Sequence, residues 1–172
     1  MEQQTTTART ALKFGIISGV ASIVFITILY VSGQAANSAL AWLGAIITIA
    51  AMVLGMKEYR TLNGGFMTYG QGLGIGTLMS AVGGFISAVY SYIYNEFIDN
   101  TLRQQILDKV REDLENRGMD DAQVEQALAM SEKFSSPGIT FALSIFGAIL
   151  IGFIISLIVS AIMKKDKPFE LE

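Results

Sequence analysis

Gly70–Tyr94, GQGLGIGTLMSAVGGFISAVYSYIY, runs without an Asp, Glu, Lys or Arg. A helix needs about 20 such residues to cross the roughly 30 Å hydrocarbon core of a bilayer. Three further stretches read the same way: Leu12–Val31, Leu40–Met56 and Ile139–Met163, with Lys13 the one charge, at an edge. The chain is therefore expected to be all-α, an integral membrane four-helix bundle. All of residues 1–172 form one membrane domain. Its spanning helices are placed at about 12–32, 40–56, 68–94 and 139–163, with a polar excursion over 95–137.

Composition agrees. Charged residues make up 16% of the chain and mean hydropathy is +0.49, against about 25% charged in an average soluble domain. A net charge of −3 and the lack of a basic stripe argue against nucleic acid as a partner. With no Cys and no His, disulfides, thiolate nucleophiles, Cys/His zinc sites and imidazole bases are excluded. No acidic loop has the spacing of a calcium loop, so no metal and no cofactor are expected. Arg9 and Lys13 ahead of an apolar run mimic a signal peptide. That run is longer than the about 7–15 residues of a signal core, so it is read as an uncleaved helix.

Cations orient the bundle. Arg9, Lys13, Lys57, Arg60, Lys164, Lys165 and Lys167 fall at one end, while the turn between helices 1 and 2 has no charge. Both termini and a cationic turn at Lys57–Gly65 are thus expected in the cytoplasm, and 95–137 outside it. Tyr30, Trp42, Tyr90, Tyr92 and Tyr94 are assigned to the outer interface, and Tyr59, Phe66 and Tyr69 to the inner one.

The outer segment carries an apolar stripe, Phe97, Ile98, Leu102, Ile106, Val110 and Leu114, as on one face of an amphipathic helix. Gly118 marks a stop and Asp120 or Asp121 a new cap. Val124, Ala127, Leu128 and Ser131 form a second stripe, ended by Ser135–Gly138. The reading is an extracytoplasmic amphipathic helical hairpin between helices 3 and 4. Its first helix would begin near Glu96, as an extension of helix 3.

Inside the membrane the sharpest pattern is small residues four apart. Helix 3 has Gly72, Gly76, Ser80, Gly84 and Ala88; helix 4 has Ser144, Ala148, Gly152, Ser156 and Ser160. Helix 1 has Ala11, Gly15 and Gly19, and helix 2 has Gly44/Thr48 and Ala51/Gly55. Residues four apart share a helix face, and a row of small ones lets another backbone come close, which in lipid is the main source of attraction. Gly15, Gly19, Gly72, Gly76, Ser80, Gly84, Ala148, Gly152 and Ser156 are the expected packing residues. Gly83, with Ser87 and Ser91, opens a second face for another helix or a second copy.

Asn63–Gly76, NGGFMTYGQGLGIG, looks like a phosphate loop but lacks the Gly-Lys-Ser/Thr ending and a preceding strand. Its glycines allow an irregular or re-entrant start to helix 3, with Tyr69 and Gln71 as candidate ligand or partner contacts. Together with Met56-Lys57-Glu58-Tyr59-Arg60 this run resembles a bacterial membrane family known only as domain of unknown function 4199. The resemblance covers nearly the whole chain and implies a four-helix inner-membrane protein with no known activity.

Three roles compete. The first is a structural or interaction role through the outer hairpin, toward membrane lipids, an extracytoplasmic protein or a second copy. Its acidic face (Asp108, Glu112, Asp113, Glu115, Asp120, Asp121, Glu125) would suit a basic partner. The alternative is a subunit of an oligomeric small-solute transporter or channel, with the glycines of helix 3 and Ser18, Thr77, Ser80 and Ser144 as a neutral lining. An enzyme built on Glu96 and Asp99 is the weakest, since no spacing supports a reaction class. The expectation is a protein that is not an enzyme.

Overall fold

The computed structural model describes residues 6–35, 37–99 and 101–167. Among these there are six α-helices: α1 (Thr7–Val31), α2 (Ser38–Leu62), α3 (Tyr69–Ile93), α4 (Thr101–Asn116), α5 (Asp121–Phe134) and α6 (Pro137–Met163). A five-residue π-helical turn, Tyr94–Ile98, extends α3. Four helices are long and apolar enough to cross a membrane: α1, α2, α3 with its π turn, and α6. At about 1.5 Å per residue, the 25 residues of α1 reach about 37 Å, more than the hydrocarbon core requires.

The distribution of side chains is that of a protein dissolved in lipid. Leu12, Ile16, Val20, Val24 and Ile28 stand exposed along α1, and Leu143, Leu150, Ile154, Ile158 and Ile162 along α6. The buried positions include Gly15, Gly19, Gly72, Gly76 and Gly152 together with Thr10, Ser18, Ser80, Ser156 and Ser160. Aliphatic side chains outside and small or hydroxylated ones inside invert the soluble pattern. They suit a solvent as apolar as leucine, in which close packing holds helices together. A core of Met52, Met56, Met67, Ile75 and Met79 fills one end of the bundle.

Some elements differ from expectation. α2 runs on to Leu62, so Lys57–Arg60 is helix and the turn is only Asn63–Thr68. Gly64 and Gly65 make that turn, at φ of 69° and 88°, a region closed to most side chains. α3 has no irregular entry. Thr68 Oγ1 accepts from the Gln71 amide at 3.3 Å, and Gln71 Oε1 accepts from the Thr68 amide at 2.9 Å, a reciprocal capping box. α1 starts at Thr7, where Thr6 caps by accepting from Arg9 N. α4 is separate from α3: Asp99 is extended, at φ −150°, and its carboxylate accepts from the Thr101 amide. Gly118 (φ 76°) follows α4, and Asp120 caps α5 through a second capping box with Gln123.

α1 and α3 run parallel, while α2 and α6 run the other way. One end gathers the starts of α1 and α3 with the ends of α2 and α6. There Met67 and Lys165 pair backbone to backbone at 2.8 and 2.9 Å, Lys13 Nζ meets the Glu58 carboxylate at 2.6 Å, and Arg60 donates to the Met163 carbonyl. α4 and α5 lie at the opposite end. They pack on each other, and Arg103 donates to the Glu132 carbonyl at 3.4 Å. Val124 is the buried centre of that pair, while Phe97, Ile98 and Ile106 stay exposed. The Leu102 side chain and Pro168 lie outside the described residues.

The expected aromatic girdle is only partly a girdle. Trp42 is exposed, but Tyr30 stacks on Tyr94 at 4.3 Å, Tyr94 leans on Tyr90, and Tyr59 is buried in the core. These rings pack helix to helix because α1 and α3 meet along their length.

Candidate functional site

The seam between α3 and α6 is built from the two small-residue rows. Gly72 faces Ser160, Gly76 faces Ser156, Ser80 faces Gly152 and Gly84 faces Ala148. Each step of four up α3 meets a step of four down α6, so each rung sets a glycine against a Ser or an Ala. A methyl on Gly72 would sit 2.8 Å from Ser160 Oγ, and methyls on Gly76, Gly84 or Gly152 would overlap the partner's Cβ. The hydroxyls inside this seam are not all paired. Ser156 Oγ donates to the Phe153 carbonyl at 2.8 Å and approaches Thr77 Oγ1 at 3.4 Å. Ser80 Oγ and Ser160 Oγ are buried without a partner among the described residues.

α1 fills the other side of α3. A methyl on Gly15 would lie 2.8 Å from Val82 Cβ, and one on Gly19 would lie 3.0 Å from Ile86. Gly83 faces Ser18 and the Gly15 carbonyl, so its face serves α1 of the same chain. The α2 glycines receive rings instead: Gly55 lies under Phe14 and Gly44 near Phe25. Polar ties close the far end. Thr27 and Tyr90 share a hydroxyl bond of 2.5 Å, and Asn95 Nδ2 donates to Tyr30 Oη at 2.8 Å and to the Ser91 carbonyl at 2.7 Å.

Tyr69 and Gln71 do not meet in a pocket. The Gln71 side chain is spent on capping α3, and Tyr69 lies exposed in the first turn. Glu96 and Asp99 are also divided, since Asp99 caps α4. Thr101 bonds to the Asp99 carboxylate from both side chain and backbone and holds its pKa below the ordinary 3.8.

A cavity of about 570 Å³ opens where the seam would have its next rung, Ala88 and Ser144. Phe141 lines it, its ring meeting Phe85 edge-on at 6.4 Å and Tyr92 at 5.7 Å. The spanning helices also contribute Ser91, Thr140 and Ser144 to the cavity lining. Its rim carries Asn95, Glu96, Arg103, Gln104 and Glu132 from the π turn and from α4 and α5. The volume falls within the range of small-molecule sites, about 300–1,000 Å³. Asn95 lies in the π turn, a distortion that is frequent at functional sites. Its Oδ1 is buried, with no partner among the described residues. The two bonds from Nδ2 fix the amide, because the Ser91 carbonyl needs a donor.

Sequence reasoning missed this cavity. The visible signal was the run Asn95-Glu96 directly after an apolar span, with Arg103 within two turns.

The family model described as "Protein of unknown function (DUF4199)" matches residues 13–165. No curated protein and no solved structure matches the chain.

Proposed function

The chain belongs to the DUF4199 family, whose description names no activity, and we propose that it is a non-enzymatic, multi-pass membrane protein that works by interaction. Its interacting element is α4–α5, held outside a bacterial inner membrane, with both termini in the cytoplasm. The observation that carries this reading is how the surface is divided. α4 and α5 pack chiefly on each other, and they expose Ile106, Met119, Met130 and Phe134 beside Glu112, Asp113, Asp121 and Glu125. Apolar anchors within an acidic surface suit a basic, partly apolar protein partner.

The placement of cations supports the orientation. Lys13, Lys57, Arg60, Lys164 and Lys165 share the end opposite α4–α5, as the positive-inside rule asks of cytoplasmic loops. A transporter path along α3 would need its glycines free. Four of the six α3 glycines are taken, Gly72, Gly76 and Gly84 by α6 and Gly83 by α1, and only Gly70 and Gly74 at the start of the helix lie open, so the interaction reading is favoured.

The chain has no natural cysteine, so single cysteines at Glu112 and Glu125 give clean crosslinking sites. In native membranes, a crosslinker on either is expected to trap one discrete adduct, and a cysteine at exposed Ile28 on the lipid face to trap none. Equal, diffuse adducts from all three positions would overturn the reading.

A further inference from the structure

We propose that the cavity beneath α4–α5 binds the headgroup of a phospholipid with a primary ammonium, the zwitterionic phosphoethanolamine class. This goes beyond the interaction reading and does not depend on a protein partner. The cavity runs from the spanning helices to the outer ones. Ala88, Tyr92, Phe141 and the hydroxyl residues Ser91, Thr140 and Ser144 lie within the spans, Glu96 two residues from the end of the α3 span, and Arg103 and Glu132 on α4 and α5 beyond it. A lipid at this boundary keeps its chain beside the apolar spans and its head among the charges.

The rim specifies the polar end. Arg103 supplies the cation, and a guanidinium bonds phosphate oxygens in a planar fork. Glu96 and Glu132 supply two carboxylates. Two carboxylates call for a cationic donor, and an ammonium has three N–H donors and no acceptor. An anionic head would meet two carboxylates against one guanidinium. A quaternary ammonium would bring charge but no N–H. The cavity of about 570 Å³ holds a headgroup and the start of a chain, and the rest of the lipid continues along the exposed apolar flanks of α6.

Native mass spectrometry of the detergent-solubilised full chain tests this, with dioleoyl phosphatidylethanolamine, phosphatidylglycerol and phosphatidylcholine as probes. The ethanolamine lipid is expected to bind about tenfold more tightly than either other, the worth of one charge-assisted hydrogen bond. Arg103→Gln should weaken all three lipids. Glu96→Gln with Glu132→Gln should erase the preference, and Ser144→Phe, which fills the floor, should abolish the adduct. Equal binding of the three lipids by the unmodified chain, or a preference that survives the double variant, overturns the proposal. The headgroup series needs no variant to fold. Soluble O-phosphoethanolamine is the last arm: weak competition by it supports a lipid occupant. Displacement at lipid-like concentrations overturns that occupant in favour of a soluble one.

Discussion

Gly74 and Gly76 lie two residues apart on α3 and meet opposite surroundings. A methyl on Gly74 would touch nothing within 4 Å, while one on Gly76 would overlap Ser156 and lie 3.0 Å from Met52 Sδ. Gly76→Leu should therefore cost at least the about 1–3 kcal/mol typical of overpacking, because two helix backbones must part to admit it. Gly74→Leu should leave stability unchanged or raise it slightly, since glycine is a poor helix former. Thermal unfolding in detergent reads both, and equal behaviour of the pair would contradict the seam. Ser80 offers a subtler check. Its buried hydroxyl has no partner among the described residues, and such a group costs free energy rather than supplying it. Ser80→Ala is expected to be neutral or stabilising by up to about 1 kcal/mol in the same assay, and a clear loss would show that the hydroxyl is bonded in the native protein.

At the level of elements, α3 is the hub: α1 lies along one face and α6 along another, each in a groove of small residues. That much was legible, because glycine and serine four apart announce close approach before any partner is known. Which row meets which was not legible, and the pairing of α3 with α6 comes from the structure. The stop at Gly118 and the cap at Asp120 were legible for the same local reason, as their signals lie within one turn of chain. The end of α2 was misjudged. Lys57 and Arg60 look like turn residues by charge, but the helix carries them past the apolar run so that Arg60 reaches the Met163 carbonyl. The cavity was not legible, since its lining comes from α3 and its π turn together with α4, α5 and α6, and that meeting does not follow from periodicity.

The caps of the outer helices make their own predictions. Asp120→Ala should cost α5 about 1 kcal/mol, seen as faster amide exchange in its first turn. Asp99 should make the start of α4 sensitive to acid. Its pKa is lowered in the folded state, so its contribution is present above the unfolded value near 3.8 and is lost as pH falls through the lower folded value. Amide protection in the first turn of α4 should fall in that window, and a profile unchanged by Asp99→Asn would contradict the assignment.

For the molecule as a whole, the apolar exterior and the small, hydroxylated interior describe one thing: a bundle built to be surrounded by lipid. Among the described residues the candidate spans number four, so the first begins and the last finishes at the same end of the bundle, and the two ends differ in kind. One is tied by Lys13–Glu58 and by the Met67–Lys165 backbone pair, and the other carries α4 and α5. Cysteine accessibility in intact cells tests this arrangement most directly, through single cysteines at Glu112 and at Lys164 and a membrane-impermeant maleimide. The account predicts that the Glu112 position labels in intact cells and the Lys164 position only after permeabilisation. Labelling of both positions in intact cells, or of the Lys164 position alone, would contradict it.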